Sequence, residues 1–331
     1  MPAPGLNLTS DYYTGAYPSL LWEMTVCQSL GDGHGTFARA LKKPAAYGFL
    51  LADYLQRETS LPVQCGKIVE VGGGYGTLMA ALLEALKPQS VTMVDISPTL
   101  LEKQKIRLKK HPAAFHCEDI FSWLKGLKTS LDLLILNEII GDFPTITNIA
   151  KNALSACQPG KKVKPNQLPL PAELNSHDLL AEAARLINTY KLNIADLPET
   201  FNLNYGALRF IEQLAETEVA RTFISEHGSD TLVPYPFSLY PAIVPTTDRN
   251  PRCIRLKDHN EYNIRFAHLA QIAEALNFKV KRLHLMDLLQ VRFDDEIDYL
   301  LRTRQPVNEE QEIFLEFYEH IAEYQGIILQ R

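Results

Sequence analysis

Short apolar runs of strand length alternate with helix-like segments in the middle of the chain. The segments near 76–86 and 98–110 repeat their apolar residues at helical spacing, and each follows a run that is almost entirely apolar. Strands that alternate with helices imply a parallel sheet joined by right-handed crossovers. Four of the apolar runs predict strands, a buried one at 67–71 and three more at 91–95, 113–117 and 131–136.

The alternation breaks after residue 141 and resumes near residue 206. The stretch between them, 142–205, contains a proline-rich segment at 157–172 and a helical pattern near 173–190. It therefore predicts a mostly helical insertion on the substrate side of the domain. Beyond the insertion the pattern predicts further strands and helices, with strands at 221–226, 252–257 and 278–284 and helices at 206–219 and 266–276.

Both ends of the chain are predicted to be helical. Residues 1–66 form a helical N-terminal segment, interpreted as a lid or extension. Near the other end, 308–324 places its apolar residues on one helix face, and Gly326 is in a position to cap that helix. The expected fold is α/β: a Rossmann-like, mainly parallel sheet with helices on both faces, a helical N-terminal segment and a helical insertion. The sheet domain is assigned to 67–141 and 206–331.

Composition excludes several classes of protein. The chain has 331 residues, of which 46% are apolar and 22% charged, as in a globular protein with a large core. A net charge of −6 provides no basic field for a nucleic-acid backbone. The five cysteines are widely spaced, the N-terminus has no leader pattern, and no apolar run reaches membrane-spanning length. We therefore expect a cytoplasmic protein with no nucleic-acid or membrane partner, and a homodimer is left open.

Several common catalytic motifs do not occur in the sequence. The nine histidines form no HExxH or HxH pattern, so no metal site is expected. A GxSxG turn is absent, which weakens a hydrolase interpretation. The GxxxxGK[ST] phosphate-binding loop is absent as well.

The strongest chemical signal is a glycine-rich loop after the first predicted strand. Glu70 to Thr77 reads Glu-Val-Gly-Gly-Gly-Tyr-Gly-Thr, and its glycines allow a tight turn and a close approach of backbone to ligand. A dinucleotide fingerprint requires a sixth-position glycine counted from Gly72, where Thr77 stands. Glu70, two residues before Gly72, suits a ligand with a positively charged amino group. Glu70, Gly72 and Gly74 are therefore predicted to bind a cofactor.

Two acidic residues follow the next two predicted strands. Asp95 ends the second strand and can accept hydrogen bonds from both ribose hydroxyls of a nucleoside. Asp119 follows the third strand and can accept an adenine amino group, while Ile96 and Ile120 can enclose the ring. Ligands of open α/β sheets bind at the carboxyl ends of the strands, so these four residues predict a nucleoside site.

In combination these segments resemble class I S-adenosylmethionine-dependent methyltransferases. The resemblance implies that S-adenosylmethionine is the cofactor, and that Asn137 contacts it together with the residues above. It covers about residues 65–140. The motifs that carry it are EVGGGYG at 70–76, VDIS at 94–97, CEDIF at 117–121 and LILNE at 134–138.

A narrower resemblance is to the MidA-like family, which includes the mitochondrial arginine methyltransferase that assists assembly of respiratory complex I. That family has Asn-Glu, two apolar residues and a nearby proline, which is similar to NEIIGDFP at 137–144. The resemblance implies an arginine or amine of a protein as methyl acceptor. The family usually has an aspartate directly after the two apolar residues, where this chain has Gly141, followed by Asp142.

Three residues are candidates for catalysis. An amine or guanidinium acceptor needs carboxylates to hold it and to accept a proton. Glu138 follows the fourth predicted strand and is the first candidate, and Asp142 is the second. His227, which ends a later strand, is a candidate base because imidazole titrates near neutral pH.

Alternative functions remain open at this point. A small molecule can replace the protein as the acceptor for nitrogen or oxygen methylation. A nicotinamide-dependent oxidoreductase can use a similar glycine loop, although Glu70 and Thr77 count against it. A binding protein that has lost catalysis is the third alternative, because Asp142 is displaced by one residue.

Overall fold

The computed structural model describes residues 3–15, 20, 24–156, 170–174, 178–245 and 249–331. Its strands are β1 (Gly5–Asn7), β2 (Lys67–Val71), β3 (Ser90–Asp95), β4 (Ala113–Cys117), β5 (Leu133–Asn137), β6 (Thr145–Ala150), β7 (Thr200–Leu203), β8 (Arg221–His227), β9 (Cys253–Arg255), β10 (Asn260–Tyr262), β11 (Lys279–His284) and β12 (Tyr324–Gln330). Its α-helices are α1 (Ser10–Thr14), α2 (Val26–Ser29), α3 (Tyr47–Thr59), α4 (Thr77–Leu86), α5 (Pro98–Arg107), α6 (Ile120–Gly126), α7 (Lys151–Ala156), α8 (Leu179–Tyr190), α9 (Tyr205–Leu214), α10 (Phe266–Ala275), α11 (Leu285–Leu289), α12 (Asp295–Thr303) and α13 (Glu309–Ile321). Short 3₁₀ turns occur at Phe37–Ala40, Ile140–Asp142, Pro171–Glu173 and Phe237–Leu239.

Seven strands form the central sheet, in the order β11-β12-β8-β5-β2-β3-β4. The five strands from β8 to β4 are parallel, whereas β12 runs antiparallel between β8 and β11. The middle strand β5 is buried along its whole length, as expected where helices cover both faces of a sheet. The sheet confirms the predicted α/β Rossmann-like fold class.

Helices pack on both faces of this sheet. One apolar cluster contains side chains of α3, α4, α11 and α13, and the other contains side chains of α6, α8, α9 and α10. Ile68 and Val69 are consecutive on β2 and belong to different clusters, because successive strand residues point to opposite faces. The carboxyl ends of the parallel strands stay uncovered by these two layers and are available for a binding site.

The C-terminal prediction is partly wrong. The helix predicted over 308–324 ends at Ile321, and a strand follows it as β12. Gly326 is not a helix cap, because it pairs with Ser225 in the middle of β12. A short apolar run next to a helix cannot be assigned by periodicity alone, and the pairing partners of β12 are distant in sequence.

The strand predicted at 252–257 forms, but it lies outside the central sheet. Its observed part is β9, which pairs with β10 in a separate antiparallel hairpin. The sequence pattern identified the extended conformation and not the pairing partner, because hydrophobic periodicity carries no information on which strand lies alongside.

The predicted helical insertion also contains strands. α7 and α8 lie within 142–205 as expected, but β6 and β7 do so too. β6 pairs antiparallel with β1 on one side and β7 on the other, which forms a three-stranded sheet. The partner β1 belongs to the N-terminal segment, which is therefore not wholly helical. Much of the predicted proline-rich segment, 157–169, lies outside the described residues.

The described helices and thiols give two further findings. No helix within the described ranges combines the length and the apolar character that crossing a bilayer requires. Four of the five cysteines fall within these ranges, and each is a free thiol: Cys27, Cys65, Cys117 and Cys253.

Candidate functional site

One cavity of about 550 Å³ opens at the carboxyl ends of β2, β3 and β5. This is the edge at which open α/β sheets bind their ligands. Residues of the N-terminal segment, such as Tyr13 and Thr25, form part of its wall. The cavity brings together every predicted site residue except His227, namely Glu70, Gly72, Gly74, Asp95, Ile96, Asp119, Ile120, Asn137, Glu138 and Asp142.

The glycine-rich loop after β2 has a backbone that only glycine adopts easily. Gly72, Gly74 and Gly76 have φ values of +61°, +52° and +74°. A Cβ atom added at Gly72 would lie 2.6 Å from Ile139 Cδ1, so a side chain there would collide with the turn after β5. The loop therefore brings bare backbone to the cavity wall.

Glu70 lies beneath this loop at the end of β2 and is 3% exposed. Burial and the nearby carboxylate of Asp95 raise the pKa of Glu70 to about 8, although a hydrogen bond from the backbone N–H of Met79 opposes the shift. Its Oε2 accepts no hydrogen bond from any of the described residues. A buried carboxylate with an unsatisfied oxygen fits a positively charged amino group, such as the one S-adenosylmethionine carries.

Asp95 is held by the chain in one orientation. Its Oδ1 accepts a hydrogen bond from Ser97 N at 2.8 Å, and its Oδ2 accepts one from Gln104 Nε2 at 2.7 Å. Gln104 also donates to the carbonyl of Gly74 at 3.2 Å, which ties the carboxylate to the glycine loop. Burial raises the pKa of Asp95 to about 6, and these hydrogen bonds oppose the shift. A carboxylate has about four acceptor positions, so two remain for ribose hydroxyls.

Asp119 caps the N-terminus of α6. Its Oδ1 accepts hydrogen bonds from Phe121 N at 2.9 Å and Ser122 N at 3.3 Å. Ile120 is buried beside it, and Ile96 is half-buried on the neighbouring strand end. Both cap bonds use Oδ1, so the capping role does not consume the Oδ2 that the predicted adenine contact requires.

Asn137 lines the cavity, but its amide is engaged with the chain itself. Its oxygen accepts hydrogen bonds from the hydroxyls of Tyr47 at 2.7 Å and Ser225 at 2.6 Å. Its nitrogen donates to Glu138 Oε1 at 2.8 Å and to Cys27 Sγ at 3.3 Å. The side chain therefore orients Glu138 and joins the N-terminal segment to the sheet. The polar contact of Asn137 with the cofactor remains a prediction.

Glu138 has the left-handed backbone conformation, with a φ of +53°. A non-glycine residue pays about 1–3 kcal/mol for such a conformation, and these residues concentrate at functional sites. Its carboxylate accepts hydrogen bonds from Val26 N at 3.1 Å and from the Tyr324 hydroxyl at 2.8 Å. Burial raises the pKa of Glu138, and its hydrogen-bond donors oppose that shift.

Asp142 reaches the cavity despite its displaced position in the sequence. It ends the 3₁₀ turn after β5, and its carbonyl accepts a hydrogen bond from Thr9 Oγ1 at 2.7 Å. The neighbouring N–H of Gly141 donates to Glu226 Oε2 at 3.2 Å. Burial raises the pKa of Glu226 well above its usual range, and the charge of Glu261 adds to the effect. Several carboxylates therefore gather at this end of the cavity.

His227 does not line the cavity, so the geometry does not support its predicted catalytic role. Its ring packs on Tyr324 with 4.0 Å between centroids, and its Nδ1 lies 3.4 Å from Glu323 Oε2. Successive residues of a strand point to opposite faces. Glu226 therefore contacts the turn after β5, whereas His227 packs on Tyr324 and affects Glu138 only by lowering its pKa through charge.

Two tyrosines that sequence analysis missed hold the central pair of residues. The Tyr47 hydroxyl bonds to Asn137, and the Tyr324 hydroxyl bonds to Glu138. Tyr47 begins α3 and Tyr324 begins β12, far from the recognised motifs. No sequence signal marked Tyr324, because β12 itself was not predicted. For Tyr47, at the start of α3, the sequence contained no signal beyond the helical pattern of the N-terminal segment.

The glycine loop, the buried acids and the parallel sheet define an α/β methyltransferase. The chain belongs to the family described as "Putative S-adenosyl-L-methionine-dependent methyltransferase", whose model matches residues 50–223. It is therefore an enzyme that uses S-adenosylmethionine as its methyl donor. The predicted class and cofactor are confirmed, and the oxidoreductase and non-catalytic alternatives are not retained.

Solved structures with a similar arrangement are distant in sequence. An uncharacterized protein from Burkholderia thailandensis is 14% identical, with 99% of this chain and 88% of that chain covered and a TM-score of 0.49. An S-adenosylmethionine-dependent methyltransferase from Archaeoglobus fulgidus is 14% identical, with coverages of 86% and 94% and a TM-score of 0.35. No curated protein sequence matches the chain.

Proposed function

We propose that this enzyme transfers the methyl group to a nitrogen of an amine or guanidinium, with an arginine side chain of a protein as the leading acceptor. The observation that carries the proposal is one continuous cavity with different chemistry at its two ends. Glu70, the glycine loop and Asp95 line it at the ends of β2 and β3, and Glu138 and Asp142 line it after β5; we call these the cofactor end and the acceptor end. Acids at the second end favour an acceptor that carries positive charge or sheds a proton.

We also propose that the chain is MidA-like. The support is the Asn-Glu motif at 137–138, followed by two apolar residues and Pro144. Asp142 stands one position later than the family pattern has its aspartate, yet it still lines the cavity. The turn at Ile140–Asp142 accommodates the extra residue by folding as a 3₁₀ helix.

The chain's residues hold the cofactor and align the acceptor in this proposal. When bound, S-adenosylmethionine supplies an electrophilic methyl carbon on a sulfonium sulfur. Glu70 holds the amino group of the cofactor, and Asp95 holds its ribose. Burial of these groups excludes water and fixes the methyl toward the acceptor end, which is where alignment lowers the barrier.

Glu138 is proposed to orient the acceptor nitrogen and to accept its proton. The nitrogen gains a methyl group and must lose a proton to leave a stable product. Burial raises the pKa of Glu138, which makes its carboxylate a better base than an exposed one. Hydrogen bonds from Val26 N and the Tyr324 hydroxyl hold the Glu138 carboxylate in place during the proton transfer.

Two measurements test the proposal in sequence. Calorimetry with S-adenosylmethionine and S-adenosylhomocysteine should show binding at one site per chain. Labelled methyl transfer is then measured to arginine-containing peptides, lysine-containing peptides and small amines, with hydroxyl and carboxylate compounds as controls. Transfer only to the oxygen compounds would disprove the nitrogen acceptor and leave the enzyme class intact.

A further inference from the structure

We propose that Asp142, His259 and Glu261 form a binding site for a divalent transition-metal ion at the acceptor end of the cavity. One potential ligand atom from each side chain lies within 4.8 Å of the other two. His259 Nε2 is 3.0 Å from Glu261 Oε1 and 3.9 Å from Asp142 Oδ1. Tetrahedral bonds of about 2.1 Å place neighbouring ligand atoms roughly 3.4 Å apart. Both distances from His259 Nε2 lie within about half an ångström of that value.

The three side chains are largely buried. The exposed fractions of His259, Asp142 and Glu261 are 5%, 9% and 14%. A surface cluster of charged groups remains hydrated and moves freely, whereas groups this buried stay converged. The burial distinguishes this cluster from an ordinary acidic patch.

A β-hairpin and a stacked tyrosine ring hold two of the three ligands in place. Glu261 lies in β10, paired with Ile254 of β9, and His259 lies in the turn between these strands. The ring of Tyr12 stacks on His259 with 4.2 Å between centroids and an interplanar angle of 17°. Metal sites depend on such supporting contacts to orient their ligands.

The ligand set selects the class of ion. One imidazole and two carboxylates suit Zn²⁺, Mn²⁺ or Fe²⁺, whereas Mg²⁺ and Ca²⁺ prefer oxygen ligands alone. Two carboxylates balance the charge of a divalent ion. With three protein ligands, a coordination position stays open, as in catalytic zinc sites. Asp142 lines the cavity, which gives the ion a path of entry.

The role of the ion rests on the proposed function. Asp142 lines the acceptor end, so the open position of the ion would coordinate a backbone carbonyl oxygen of the acceptor protein and hold its arginine side chain near the methyl group. This is the templating role of a metal, and it leaves the proton transfer to Glu138.

The molecule contains a matched control for this site. His227 and Glu323 form a similar pair, with 3.4 Å between Nδ1 and Oε2. Arg252 also pairs with the Glu323 carboxylate, so the third group of this cluster is a guanidinium, where the proposed metal site has a second carboxylate. A His–carboxylate pair of this kind should not retain a metal ion.

The test measures metal binding without any cofactor. Chelator-treated protein is titrated with Mn²⁺ and, by competition with a chelating dye, with Zn²⁺, while Mg²⁺ and Ca²⁺ serve as hard-ion controls. The wild type should bind one Mn²⁺ or Zn²⁺ per chain. Changes to the groups that merely support metal ligands cost about 10–100-fold in affinity, so Glu261→Gln and His259→Gln should cost at least that much. Glu323→Gln should bind like the wild type.

Two results would overturn the site. One is a stoichiometry far below one ion per chain, and the other is equal loss in Glu261→Gln and Glu323→Gln. Circular dichroism establishes that each variant is folded, and Glu261→Gln leaves the Tyr12–His259 stack in place if His259→Gln disturbs folding. S-adenosylmethionine affinity is measured in parallel. Metal binding that fails while cofactor binding and methyl transfer persist disproves the metal site alone.

Discussion

The two ends of the cavity satisfy their buried carboxylates in different ways. At the cofactor end, Glu70 Oε2 accepts no hydrogen bond from the described residues, and burial raises the pKa of Glu70 to about 8. At the acceptor end, the Glu138 carboxylate accepts bonds from Val26, Asn137 and Tyr324. An ionised group buried without partners is costly. The chain itself supplies the partners of Glu138, whereas Glu70 keeps one oxygen to which a cationic ligand could bind.

The difference follows from how each end is assembled. The cofactor end is formed by 70–76, 95–96 and 119–120, which are three consecutive strand-to-helix turns of one sheet. The acceptor end combines the turn after β5 with the N-terminal segment, the end of β8 and the start of β12. The proposed cofactor contacts therefore come from local turns, and the proposed catalytic residues are held by segments distant in sequence.

The largest expected effect is on turnover at the acceptor end. Glu138→Gln should lower kcat by about 10²–10⁴-fold, the contribution of a positioned acid–base group. Its amide can still accept from Asn137 and Val26 and can donate to the Tyr324 oxygen, so the local structure should persist. Turnover is measured with the acceptor that the labelled-transfer assay selects, and cofactor affinity is measured by calorimetry.

Cofactor affinity is the control for Glu138→Gln. It should stay close to the wild-type value, because Glu138 belongs to the acceptor end. Turnover equal to wild type would remove Glu138 from the reaction. Lost affinity with unchanged turnover at saturation would show that the two ends are not separate.

The next largest effect is on stability at the cofactor end. The pKa of Glu70 is raised to about 8 in the folded protein, so folding retains its proton while the unfolded chain releases it above about pH 4.5. Stability from this group is fully present below that pH and is lost as the pH rises toward 8. Glu70→Gln cannot ionise, and at pH 7 it should be more stable than wild type by about 3 kcal/mol.

Denaturant unfolding at several pH values checks the Glu70 prediction. The advantage of Glu70→Gln should vanish near pH 4 and grow up to pH 8. Glu84→Gln, an exposed substitution on the following helix, should follow the wild type at every pH. A Glu70→Gln variant that is destabilised at pH 7 would show that the hydrogen bond from the Met79 N–H outweighs the cost of burying the carboxylate.

The cofactor end could be predicted from sequence because its signals are local. The glycine loop, Asp95 and Asp119 each follow an apolar strand directly, and parallel strands bring their carboxyl ends to one edge. Periodicity located β2, β3, β4 and β5 within two residues of their observed bounds. The crossover rule predicts the hand of the connections between these strands, whereas the position of β5 on the far side of β2 from β3 comes from the structure.

The acceptor end could be predicted only in part. Asn137 ends β5, Glu138 and Asp142 follow it, and all three were recognised from the motif. Tyr324 and the pairing of β1 with β6 depend on contacts between residues far apart in sequence, which no local pattern specifies. The sequence could not tell on which face of β8 the side chain of His227 lies, because a shift of one residue in register moves every side chain to the other face.

A smaller effect is expected at the ribose position of the cofactor end. Asp95→Ala should weaken S-adenosylmethionine binding by about 1.5–3 kcal/mol, the range for hydrogen bonds to a charged group. Calorimetry measures the affinity, and thermal melting establishes that loss of the Ser97 and Gln104 bonds leaves the variant folded. Asp53→Ala, an exposed aspartate of α3, is the control. Unchanged affinity in Asp95→Ala would reject the ribose assignment.

The smallest effect is expected at the hydroxyl that orients Glu138. Tyr324→Phe removes one buried hydrogen bond of 2.8 Å and should lower the free energy of unfolding by about 0.5–1.5 kcal/mol. The same bond lowers the pKa of Glu138, so its loss should raise that pKa and move the acid limb of the pH–rate profile upward. Glu226 and His227, which also adjoin this region, are unchanged in the variant. Tyr299→Phe, with a half-exposed ring, is the control and should change neither quantity. A lowered stability with an unmoved profile would mean that Tyr324 packs the acceptor end without tuning its base.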